Sequence, residues 1–162
     1  MMLTLIIFIL LILKIDGRAG NTAVLQIANL LLLLNLLLGF ISNANEVLFN
    51  GMFRTTPLLA FEKNILNLAT LLISLFSYEW LKKHHHLPEF FMLLLSSLLG
   101  LFLMMSSGNL LMFYLGLELS AIPLAALCNF DLDKKVSSEA AMKMILQQQN
   151  LQKIFMIVLL PH

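Results

Sequence analysis

The chain has 162 residues, 60% of them hydrophobic and 12% charged, with a mean hydropathy of +0.92. Soluble domains carry roughly 45–50% apolar and about 25% charged residues, so this excess of Leu, Ile, Phe and Met excludes a water-soluble fold and requires lipid as solvent. A net charge of +1 with no basic tract excludes a nucleic-acid partner, and a single cysteine, Cys128, excludes an internal disulfide.

Met1–Leu13 is apolar. No Lys or Arg precedes it, and Lys14 and Asp16 follow where a signal peptide would place small residues. It reads as a first, short span that needs its flanks or a thin bilayer. Thr22–Ile41 predicts a full span interrupted only by Gln26, Asn29 and Asn35. The stretch from Asn43 to Asn64, with Glu46, Arg54, Pro57, Glu62 and Lys63, predicts an extramembrane connection with an interfacial piece. Ile65–Leu81 is the next span, closed by Trp80 and then Lys82 and Lys83, a common interface pattern.

Pro88 marks a helix start before the fourth span, Phe90–Met105. Ser106-Ser107-Gly108-Asn109 predicts a tight turn into the fifth, Leu110–Leu127, so these two should form an antiparallel hairpin. A sixth helix is expected near Ser138, which can cap it, with Glu139 at the positive end of its dipole. The expected fold class is all-α: a polytopic transmembrane helix bundle of about five to six spans, forming one membrane domain over residues 1–146. Lys14, Arg18, Lys82, Lys83, Lys134 and Lys135 lie in the odd loops, which predicts that those loops are cytoplasmic and that the N-terminus is outside.

Glu118 stands near the middle of the fifth span. An ionisable group at the bilayer centre costs about 2.5–3.5 kcal/mol on insertion scales, and such groups usually face protein or water and often carry protons. Tyr114, Glu118, Ala121 and Ala125 share one helical face. The alanines permit close approach of another helix, and the Tyr114 hydroxyl can reach the carboxylate. Pro123 removes a backbone donor and leaves the Leu119 carbonyl available for water or a polar side chain. Burial favours a neutral acid and a nearby cation favours a carboxylate. A group under both influences can load and release a proton, whereas the bland alternative is a hydrogen bond to a neighbouring helix.

Lys143 follows Glu139 by four residues, so an ordinary i, i+4 pair and a relay role are both open. Glu79 and Glu89 flank spans and read as solvated ends. His84-His85-His86 has no Cys or acidic cluster to complete a ligand set, which favours a hydrated loop over a metal site. The ten methionines read as packing or lipid-facing residues.

The run Gly116-Leu-Glu-Leu-Ser-Ala-Ile-Pro-Leu-Ala-Ala-Leu127, followed by Ser138-Glu-Ala-Ala-Met-Lys143, resembles the proton-pumping subunit N of NADH–quinone oxidoreductase, respiratory complex I. The resemblance is carried by residues from about Pro88 to Leu146. Related antiporter subunits more often place Trp directly before the glutamate, where this chain has Leu117. The resemblance implies a membrane-arm subunit without a redox centre or cofactor of its own. Glu118 and Lys143 would be its proton-relay residues, Tyr114 and Pro123 would support them, and a lysine on a later helix would pair with the glutamate. It implies partners among the other membrane subunits of complex I, besides the lipid bilayer, and no small-molecule substrate other than protons. It also implies a multi-pass protein of the inner membrane. No Gly-rich phosphate loop or cysteine cluster is present to hold NADH, flavin or iron–sulfur groups.

After Leu146 the composition changes within a helix to Gln147-Gln-Gln-Asn-Leu-Gln-Lys153. Such a stretch is expensive in hydrocarbon. The expectation is therefore a reading frame shifted or truncated near codon 146, with residues 147–162 an aberrant tail. The nucleotide sequence read in the other two frames tests this.

Overall fold

The computed structural model describes residues 2–16, 21–41, 46–48, 51–81, 86–130 and 135–159. Lys82, Lys83, His84, His85, Arg18 and Lys134, used above for orientation and for the histidine tract, lie outside them.

The described chain is a helical bundle with one small hairpin. Helix α1 is Met2–Asp16 and α2 is Asn21–Ile41. Strands β1, Glu46–Leu48, and β2, Phe53–Thr55, pair antiparallel, with Val47 opposite Arg54. Helices α3, Pro57–Phe76, and α4, Tyr78–Leu81, follow. Then come α5, Leu87–Met105, α6, Leu110–Cys128, and α7, Lys135–Leu159.

Among the described residues four helices are long and apolar enough to cross a membrane: Thr22–Phe40 within α2, and α3, α5 and α6. Helix α1 has 15 residues, about 22 Å at about 1.5 Å per residue, and falls short of a hydrocarbon core of about 30 Å. At 25 residues α7 is long enough, but its middle is polar.

Two expectations need correction. The third span does not start at Ile65. Thr56, in extended conformation, accepts a hydrogen bond from the Leu59 amide and Pro57 occupies the first helical turn, so α3 begins there and carries Glu62 and Lys63 within it. The same span ends at Phe76, where Ser77 caps it, and Trp80 belongs to the short α4. The last helix likewise begins at Lys135 rather than near Ser138.

The core is a set of apolar stripes with helical spacing. Leu3, Ile6 and Leu10 of α1 meet Leu25, Ala28 and Leu32 of α2 and Leu87, Phe91, Leu95 and Leu98 of α5. The outward faces carry exposed Leu, Ile and Phe, such as Phe8, Leu30, Phe76 and Ile122, as a lipid-facing surface does.

Helices α5 and α6 form the expected hairpin and make the closest pair in the bundle. A Cβ on Gly100 would lie 2.3 Å from the Ser120 backbone nitrogen, and one on Gly116 would lie 2.6 Å from that of Met104. Glycine at both crossings lets the two backbones touch. The β-hairpin docks on the turn joining these helices: the Arg54 amide donates to the Ser106 carbonyl at 2.9 Å and the Gly108 amide to the Met52 carbonyl at 2.7 Å. Lys63 of α3 donates to the Ser106 hydroxyl at the same end.

Between α2 and α3 lies a buried polar seam. Asn67 donates to the Leu32 carbonyl at 3.2 Å, and the Ser74 hydroxyl donates to the Asn29 side chain. At the opposite end of the bundle from the hairpin, Phe90 meets Phe130 edge-on at 5.3 Å, and Trp80 lies 6.2 Å from Phe90. An aromatic cluster at the helix ends is what a headgroup interface favours.

Candidate functional site: a carboxylate between two helices

The glycine face of α6, with Gly116 and Ser120 buried, is taken up by α5. Side chains 100° apart per residue then put Glu118 on the far side of the helix. There α7 packs, with Ala125 and Ala141 both buried. Small residues at the contact bring the two helices close, as the sequence predicts for the alanine face.

Gln152 of α7 donates its side-chain amide to Glu118 Oε1. Tyr114, one turn before Glu118, hydrogen-bonds the same carboxylate. The acid therefore has one neutral donor from its own helix and one from the next. Pro123 lies inside α6, which continues through it to Cys128.

A cavity of about 430 Å³ lies beside this pair. Its polar lining is Glu118, Asn129, Gln148, Gln149 and Gln152, over an apolar floor that includes Ala125 and Ala141. Asn129 Oδ1 is buried and has no hydrogen-bond partner among the described residues.

The remaining sequence-derived candidates fall elsewhere. Lys143 pairs with Glu139 at 2.7 Å; both are mostly exposed, and Lys143 does not line the cavity. His86 faces Glu89 at 3.1 Å. Glu79 lies in α4. Among the described residues no group of three His, Cys, Asp or Glu side chains could hold a metal ion.

The glutamines are what the sequence reading missed. They counted only as a penalty in hydrocarbon, yet Ala141, Ile145, Gln148 and Gln152 recur at helical spacing and mark one face of α7.

Residues 107–158, which span α6 and α7, match the family model described as NADH:quinone oxidoreductase/Mrp antiporter, TM. The helices that form the site thus belong to the membrane part of that class, and the matched segment includes the glutamine-rich turns of α7.

Within the class the relatives share one name. NADH-quinone oxidoreductase subunit N of Phocaeicola vulgatus is 43% identical over 102 residues, 61% of this chain and 22% of that protein. Subunit N of Azobacteroides pseudotrichonymphae is 42% identical over 101 residues, 60% of this chain and 21% of that protein. Subunit N of Pelagibacter ubique is 32% identical over 144 residues, 87% of this chain and 31% of that protein. The chain is a complex I subunit N-like multi-pass membrane protein, and its matches span between a fifth and a third of the length of these relatives.

Proposed function

We propose that this chain serves in the membrane arm of an NADH–quinone oxidoreductase, where Glu118 loads and releases a proton as quinone is reduced elsewhere in the complex. The observation that carries this reading is Glu118 itself, an acidic side chain held between α6 and α7 near the middle of an apolar helix. Intramembrane acids in such settings mark proton paths more often than they mark structural contacts.

The chain's own residues set up the exchange. Tyr114 and Gln152 orient the carboxyl by donating to it. Both donors are neutral, so neither holds a fixed positive charge against the acid, and a cation approaching from another element can change its proton occupancy. Lys143, held by Glu139, is a second relay group in this reading. The partners are other membrane subunits of complex I in the inner membrane, with the N-terminus outside, and protons are the transported species. The chain adds no redox centre of its own to the complex.

In everted membrane vesicles of the source cell, Glu118→Gln should lower NADH-driven proton pumping by about tenfold or more, the scale of losing one proton-transfer group. The complex should still assemble. Unchanged pumping in an assembled complex would reduce Glu118 to a helix contact. Sodium-dependent exchange independent of NADH would instead favour an antiporter subunit.

A further inference from the structure

We propose that the outer face of α7 is a docking surface for a membrane-spanning helix of another protein, one that carries a carboxylate level with Lys153. The inference rests on how α7 packs and not on the relay reading of Glu118.

Spacing defines the face. Glu139, Lys143, Gln147, Asn150 and Lys153 follow one another at intervals of four and three residues. They form one polar stripe, about 21 Å long at about 1.5 Å per residue. Ala141, Ile145, Gln148 and Gln152 form a second stripe, which lines the cavity shared with α6. At about 100° per residue the two stripes lie on roughly opposite sides of the helix, so the polar stripe is turned away from α6. Its members are all exposed.

Depth makes a lipid neighbour costly for this stripe. Helix α7 runs antiparallel to α6: the Ser137 hydroxyl donates to the Cys128 carbonyl at the end of α6, while Gln152 reaches Glu118, the ninth of its 19 residues. Lys153 is the next residue and so stands level with the middle of a spanning helix. Lysine is among the most expensive residues at that depth. The amides of Gln147 and Asn150 each bring donors and an acceptor that hydrocarbon leaves unmet. Lys143 is answered by Glu139 at 2.7 Å. Lys153 has no carboxylate partner among the described residues, so the stripe is short of one negative charge.

That shortage selects the occupant. A second copy of this chain, related by a two-fold axis along the membrane normal, would run its α7 parallel to the first and set Lys153 against Lys153. A lipid tail offers neither charge nor hydrogen bond. A helix with Asp or Glu level with Lys153, and hydroxyl or amide side chains opposite Gln147 and Asn150, answers every group on the stripe.

Photo-crosslinking in membranes of the source cell tests this with the full chain. Benzoylphenylalanine replaces Gln147 or Asn150 on the stripe, or Phe76 of α3, 86% exposed, as a lipid-facing control. The stripe positions should give one defined adduct. Its linked peptide, read by mass spectrometry, should be a membrane-spanning segment with Asp or Glu within a turn of the level of Lys153. Lys153→Glu should lower the yield about tenfold or more, the scale of a lost buried charge pair. Lys153→Arg should keep it, and lysine in place of the partner's carboxylate should restore it in Lys153→Glu. Adducts only to lipid, to a second copy of this chain, or to a helix without a carboxylate would overturn the proposal. So would a yield no higher than at Phe76, a yield indifferent to Lys153→Glu, or equal losses in Lys153→Glu and Lys153→Arg.

Discussion

A carboxyl group in a membrane helix stays only where something answers its charge. Glu118 is answered by two neutral donors, Tyr114 and Gln152. Interhelical hydrogen bonds within membrane proteins average about 0.6 kcal/mol and reach about 1.7, so the Gln152 bond has its main value in fixing where the acid points. Gln152→Leu should lower unfolding stability in detergent by about that amount. It should also shift the infrared carboxyl band of Glu118, identified by its loss in Glu118→Gln, whereas Gln152→Asn should restore part of the shift. A purely structural Gln152 would leave the band in place.

The residue scale also shows what the sequence could disclose. The Tyr114–Glu118–Ala121–Ala125 face followed from periodicity alone, and the structure places Tyr114 on the acid and Ala125, though not Ala121, in the cavity shared with α7. Gln152 could not be found that way. It lies 34 residues from Glu118 in sequence, and its meeting with the acid depends on how α7 rotates about its axis, which a composition change does not reveal.

Among the elements, α3 illustrates how polar residues obscure a helix. Glu62 and Lys63 lowered the apparent hydropathy of the region and pushed the expected start to Ile65, although Thr56-Pro57 already supplied the start signal. Once the helix is extended to Pro57, the polar residues fall on a single inward stripe. Asn64, Asn67, Thr70 and Ser74 are all buried, toward α2 where partners are identified. Asn67 is 1% exposed, and its Oδ1 has no partner among the described residues. Asn67→Ala should therefore destabilise the α2–α3 pair by only about 0.6–1.7 kcal/mol, read by reversible unfolding in detergent. A loss several times larger would show that Asn67 Oδ1 is engaged by a further donor.

The α5–α6 pair responds differently, because its tolerance is set by backbone contact. Gly100→Ala places a methyl group 2.3 Å from Ser120 N, where no side chain can swing aside. The helices must separate, at a cost of about 1–3 kcal/mol for an overpacked contact. Gly51→Ala is a useful contrast, since nothing lies within 4 Å of that position and only its φ of +90° resists substitution.

At the scale of the whole molecule, the two ends of the bundle differ in chemistry. One end is tied by backbone hydrogen bonds between the hairpin and the α5–α6 turn, with Lys63 bonded across to Ser106. The other gathers the rings of Trp80, Phe90 and Phe130 beside Asn129, the C-cap of α6.

The hairpin also dictates a sequence of events during synthesis. Residues 46–55 leave the ribosome about fifty residues ahead of Ser106 and Gly108, whose backbone groups they will meet. Until α5 and α6 are threaded into the bilayer as a pair, the hairpin of β1 and β2 has no α5–α6 turn to dock on. The contacts that tie the hairpin and α3 to the α5–α6 turn thus form only after that turn has been made.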